Sequence, residues 1–162
     1  MPYRFFSEKT LEFVIPGRPL GKGAPTHRAT RGENEHDLRG PESYKALIKM
    51  VGKYATLEQG WELNIDEAYY VLITINLGAG AINGGGQRRK LWAGEKLATR
   101  APDTDRILSL ILNALAGIVW VKKRQVVGVL VVKKYNKKEE SVEVLVGSPK
   151  NWRELNHDLR NA

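Results

Sequence analysis

The chain has 162 residues, 42% of them hydrophobic, which suits one compact domain with a real core and is short for two. Its formal net charge of +8 points to a polyanionic partner, nucleic acid ahead of a membrane surface, because lysines and arginines that neutralise phosphates release condensed counterions. The absence of cysteine excludes disulfides, thiolate nucleophiles and zinc-thiolate sites, and with no membrane-length apolar run and Arg4, Glu8, Lys9 and Glu12 interrupting any leader, the expectation is a cytoplasmic protein without a membrane partner.

Leu11 to Ile15 reads as a strand, stopped by the turn-forming Pro16-Gly17. An irregular, glycine- and charge-rich insert follows over 17–40, carrying Lys22 and Arg28 among its cations. Pro41-Glu42-Ser43 then opens a helix, with proline suited to the first turn, glutamate to the positive end of the dipole, and Tyr44, Leu47, Ile48, Val51 and Ala55 on one face. Glu67 to Leu77 is too continuously apolar for a half-exposed strand and is expected to be central. A second irregular insert, 78–101, holds Gly84-Gly85-Gly86 and the cations Arg88, Arg89 and Lys90, a loop suited to a phosphate backbone. A second helix is predicted from Thr104 to about Ala116, closed by Gly117. Ile118 to Val121 and Gln125 to Val132 read as extended, and Ser141 to Val146 as a last strand, with Asn136-Lys137-Lys138-Glu139 as the hairpin turn before it. The domain is taken as 1–147, and the tail, 148–162, has a helical pattern through Trp152, Leu155 and Leu159.

The second helix carries the chemistry. Apolar residues cover most of its circumference, leaving a single polar stripe of Asp105, Ser109 and Asn113 at four-residue intervals, with Asp103 just before it. Taken singly, Asp103 is an N-cap and Asp105 a dipole-complementing residue. Together they form half of a Mg²⁺ site, since that ion takes oxygen ligands and keeps waters and substrate phosphate oxygens.

These residues resemble the RusA-type Holliday junction resolvases. The family pattern Pro-Asp-x-Asp-Asn-Leu-x-Lys, Leu-Asp-Ala-Leu-Asn-Gly and Asp-Asp-x-Gln-Val stands here as Pro102-Asp103-Thr104-Asp105-Arg106-Ile107-Leu108-Ser109, Leu112-Asn113-Ala114-Leu115-Ala116-Gly117 and Lys122-Lys123-Arg124-Gln125-Val126. Phe13 to Lys22 is similar to the family's first strand and loop. The resemblance implies an α+β fold, a small mixed β-sheet packed with two main helices. It further implies a homodimer that binds four-way DNA junctions, Mg²⁺-dependent endodeoxyribonuclease chemistry in recombination and repair, and a phage or prophage setting. By the same resemblance Asp103 and Asp105 are the catalytic and metal-ligating residues.

The departures are equally specific. The family's catalytic lysine is Ser109 here, its Asp-Asp is Lys122-Lys123, its helix aspartate is Asn113, and the asparagine after the second aspartate is Arg106. A lysine in place of a carboxylate suggests an ion pair of Lys122 or Lys123 with Asp103 or Asp105 where the metal would sit, unless another acid such as Glu95 helps to hold one. From Ile118 to Lys138 the chain has Lys122, Lys123, Arg124, Lys133, Lys134, Lys137 and Lys138 and no acid, a surface suited to phosphates. With Lys22, Arg28, Arg88, Arg89, Lys90 and Arg106, these make up the expected DNA-binding set. Three readings are open: a junction nuclease, a catalytically inactive junction-binding or architectural homologue, and a basic protein-interaction domain.

Overall fold

The computed structural model describes residues 9–21, 40–78, 89–90, 97–99, 101–137 and 139–148. The helical pattern of the tail beyond Ser148, and Lys22, Arg28, Arg88 and Glu95, lie outside the described residues.

Four strands form one mixed sheet: β1 (Thr10–Pro16), β2 (Tyr69–Gly78), β3 (Val126–Asn136) and β4 (Ser141–Gly147), in the order β1-β4-β2-β3. Among the described residues two α-helices of full length accompany them, α1 (Pro41–Glu58) and α2 (Thr104–Ala114). The architecture is α+β in a single domain, as the resemblance implies.

Side-chain alternation decides which face carries the helices. Leu11, Phe13 and Ile15 of β1 stand opposite Val146, Val144 and Val142 of β4, which in turn stand opposite Val71, Ile73 and Ile75 of β2. All are buried in one cluster with Tyr44, Ile48 and Ala55 of α1 and Ile107, Leu110 and Ile111 of α2. The helices approach each other where Gly52 meets Leu115. A Cβ at Gly52 would lie 2.6 Å from a Leu115 methyl.

β2 is central as its apolar run predicts, pairing antiparallel with β4 and parallel with β3. This corrects the expected hairpin. The segment after Asn136 carries the chain past β2, and β4 joins the far side of that strand. The physical reason is burial: β2 hides Val71, Leu72, Ile73 and Ile75, so both of its edges need a neighbour. Two smaller corrections concern the end of α2 and the segment after it. The helix stops at Ala114, and Ile118 to Val121 is a turn held by the Val119 N–H to Leu115 O bond and one isolated bridge between Ala116 and Trp120, with Gly117 at φ +80° making the reversal.

The two sheet edges differ. At β1, the Gln59 side chain donates from Nε2 to Glu12 O (2.7 Å) and accepts the Glu12 N–H at Oε1 (3.1 Å), occupying the outer hydrogen-bonding groups of that residue. At the other edge, β3 has a strand neighbour on one side only among the described residues.

Candidate nucleic-acid interface and its carboxylate pair

The carboxylate pair sits where α2 begins. Asp103 is the N-cap in extended conformation, and its carbonyl accepts the Ile107 N–H (3.2 Å). Its side chain makes no capping bond and turns to Arg106, with Oδ2 3.3 Å from Nε. Both side chains are more than half exposed, so the pair adds little stability, but it places a guanidinium on the first carboxylate. Asp105, exposed in the first turn, complements the helix dipole. One turn on comes half-buried Ser109, whose Oγ accepts from Asn113 Nδ2 at 3.4 Å. The polar stripe therefore reaches the surface as the periodicity predicts.

The loop after β1 passes directly against this turn. A Cβ at Gly21 would lie 2.8 Å from Arg106 Cβ, so glycine is needed for the close approach. From the sheet side comes Lys133, half-buried, whose Nζ donates to Pro102 O (3.2 Å), one residue before Asp103. Sequence reasoning counted Lys133 among phosphate-binding cations without placing it beside the aspartates. The signal was its parity: it pairs with Ile75, on the helix-bearing side of the sheet, where a lysine must lead its ammonium to a polar group.

Lys122, Lys123 and Arg124 lie elsewhere. They form an exposed turn immediately before β3, at the end of the sheet where Val126 pairs with Tyr69. Gln125, 8% exposed, anchors the turn: Nε2 donates to Asn64 O (2.7 Å) and Glu67 O (2.9 Å), while Oε1 accepts the Lys122 N–H (2.8 Å). From Val126 to Lys133 is about 23 Å of strand, and Asp103 belongs to the Lys133 end. The ion pair expected between Lys122 or Lys123 and the aspartates is thus absent, and Arg106 is the partner of Asp103. The cause is topological: α2 runs back along the sheet, so residues on either side of it emerge at opposite ends.

Among the described residues no three acid or histidine side chains gather closely enough to hold a metal ion. The donor set at Asp103 and Asp105 consists of two exposed carboxylates, one committed to arginine, with a lysine ammonium bonded next to them. It does not fit a resident Mg²⁺. Of the remaining expected DNA contacts, Arg89, Lys90, Arg106 and Lys134 are exposed. No described helix is long and apolar enough to cross a membrane.

Compared with protein-family models, the chain matches endodeoxyribonuclease RusA over residues 16–147. Among curated proteins, none matches. The matched span runs from the end of β1 to the end of β4 and includes the whole carboxylate helix and the basic turn.

Proposed function

The chain belongs to the RusA endodeoxyribonuclease family, and from that premise we propose that it binds branched DNA, four-way junctions above all, in the cytoplasm and without cutting it. The family as a whole consists of Holliday junction resolvases that act as dimers and depend in general on divalent metal. One observation carries the reading of this member: the carboxylate that would share a metal, Asp103, is engaged by Arg106, while the positions of the family's later aspartates are cationic and stand at the other end of β3. What remains is a cationic surface. Lys122, Lys123, Arg124 and Lys134 are exposed on an acid-free segment, and Arg89, Lys90 and Arg106 are exposed as well. Such a surface follows phosphates and reads the shape of a branched duplex rather than its bases. Lys22, Arg28 and Arg88 belong to the same proposed set, in a domain proposed to span 1–147.

The test is a single assay in which the protein is incubated with a labelled synthetic four-way junction, with Mg²⁺ or Mn²⁺, and scored for retarded complex and for symmetric nicks. Retardation that survives excess linear duplex, without nicks, supports the proposal. Symmetric nicking abolished by Asp105→Asn would overturn its second half, and no retardation at low salt would overturn the whole.

A further inference from the structure

The core accounts for one side of α1, through Tyr44, Ile48 and Ala55, yet its opposite side is apolar too. Met50, Tyr54 and Leu57 recur over two turns and are 64, 65 and 73% exposed. Beside them lies a groove of about 860 Å³, walled by Met50 and Leu57 of α1 and by Trp61 and Leu63, with Lys49 and Lys53 also lining it. A contiguous apolar surface rimmed by charge is a place where a further element packs.

The point at which the chain leaves the sheet supplies an occupant. Gly147, the last residue of β4, pairs with Thr10 and with Tyr70. The residues preceding those two both approach a wall of the groove. Lys9 Nζ stands 5.8 Å from the centre of the Trp61 ring, and the Tyr69 and Trp61 ring centres are 5.8 Å apart. The segment after Ser148 therefore sets out from the Trp61 end of the groove. Its sequence matches what it meets there. Trp152, Leu155 and Leu159 form one helical stripe over two turns, as Met50, Tyr54 and Leu57 do, and Glu154 and Asp158 are four residues apart, as Lys49 and Lys53 are.

We propose that residues 151–160 dock in this groove of their own chain as an amphipathic helix antiparallel to α1, with Trp152 toward Leu57 and Trp61 and Leu159 toward Met50. The connection is long enough: residues 148–150 reach about 10 Å when extended, twice the spacing of paired strands that separates Gly147 from Thr10.

Direction and charge agree independently. Trp61 lies just past the C-terminal end of α1, its N–H bonded to Thr56 O, so a helix that enters there and follows the groove runs antiparallel to α1. In helical projection Lys49 and Lys53 precede the Met50–Leu57 stripe, and Glu154 and Asp158 precede the Trp152–Leu159 stripe. Two helices set face to face bring these matching flanks together only when antiparallel. Parallel packing would set Arg153 and Arg160 against the lysines. The segment 1–8 also adjoins Lys9 and carries Tyr3, Phe5 and Phe6, but it has Glu8 alone to answer two lysines. A helix seated in the groove would brace Leu63, next to Asn64, whose carbonyl accepts from Gln125 and so holds the basic turn.

The chain's lack of cysteine makes a clean test on the full-length protein. Leu57→Cys is labelled with a fluorescent maleimide, alone and combined with Leu155→Asp. Docking predicts that Leu155→Asp speeds labelling at least about tenfold, because a buried leucine is lost from the closed form. Lys53→Glu should speed it about threefold, and Lys53→Glu with Glu154→Lys should restore the slow rate. At low protein concentration a short bismaleimide should link Met50→Cys to Arg160→Cys within one chain, and link Met50→Cys to Asn151→Cys far less. Labelling that Leu155→Asp leaves unchanged, or a stronger link to Asn151→Cys, overturns the proposal. So does protection lost on Phe5→Asp instead, which gives the groove to segment 1–8. A link that forms equally in a mixture of Met50→Cys and Arg160→Cys proteins gives it to a second copy's tail and overturns docking within the chain. No step involves DNA, so junction binding stands or falls separately.

Discussion

Gln125 is a single side chain whose loss should be felt at both the core and the basic turn. Its amide makes three hydrogen bonds, to Asn64 O, Glu67 O and the Lys122 N–H, at 2.7, 2.9 and 2.8 Å. Each such bond contributes about 1 kcal/mol net, so Gln125→Leu forfeits about 3 kcal/mol. Part returns: leucine gains about 1 kcal/mol by burying apolar surface at an 8% exposed position, and Asn64, itself exposed, recovers water for its carbonyl. A net loss of about 2 kcal/mol results, which for a chain of this size lowers Tm by about 4–8 °C in a calorimetric or circular-dichroism melt. Gln125→Glu is expected to be worse at pH 7, because it keeps the acceptor for Lys122 but sets a carboxylate against two carbonyl oxygens. Protonation relieves that clash, so the folded state raises this carboxyl's pKa, and the variant's deficit is smallest below the unfolded value and grows as pH rises above it. If Gln125→Leu melts within about 1 °C of wild type and Gln125→Glu shows no such pH dependence, the amide does not clamp the turn.

Other substitutions test separate parts of the structure. Tyr44 is 5% exposed and its hydroxyl is buried without a hydrogen-bond partner among the described residues, so Tyr44→Phe should leave denaturant stability unchanged or raise it by up to about 1 kcal/mol. Burial holds the Tyr44 phenol well above its ordinary range, so its contribution is intact below pH 10 and is lost as pH rises beyond that; the advantage of Tyr44→Phe should widen in alkaline melts. Gly52→Ala sets about 1 kcal/mol of gained helix propensity against the 2.6 Å approach to fully buried Leu115, whose displacement costs about 1–3 kcal/mol, and chemical denaturation should record a net loss of about 1 kcal/mol. Replacing Lys122, Lys123 and Arg124 together by alanine should weaken junction and duplex binding alike and flatten the dependence of log K on log salt by about one for each phosphate contact removed, as measured by retardation over a salt series.

The elements were legible where one physical demand dominated. Tyr44, Ile48 and Ala55 recur at helical spacing and are the residues α1 buries, and the unbroken apolar run of β2 required neighbours on both edges. Strand order was not legible, because Lys137 and Glu139 look like any polar turn. The apolar residues of β4 alternate equally well beside β3 or beside β2, and only the burial of β2 chooses between them. Around the candidate site, the shared face of Asp105, Ser109 and Asn113 was legible from their four-residue spacing, with Asp103 just before the helix. The contact between Lys133 and Pro102 needed the register of β3 against β2, which no local pattern encodes.

The distance between Asp103 and Lys123 has a more general cause. They are twenty residues apart, and α2 accounts for eleven of those residues, about 16 Å of travel back along the sheet. In any strand-helix-strand unit with parallel strands, groups at the helix entrance and groups at the start of the following strand occupy opposite ends, however regular their spacing in the chain. The regular spacing of a motif that spans such a helix therefore does not by itself place its residues in one site.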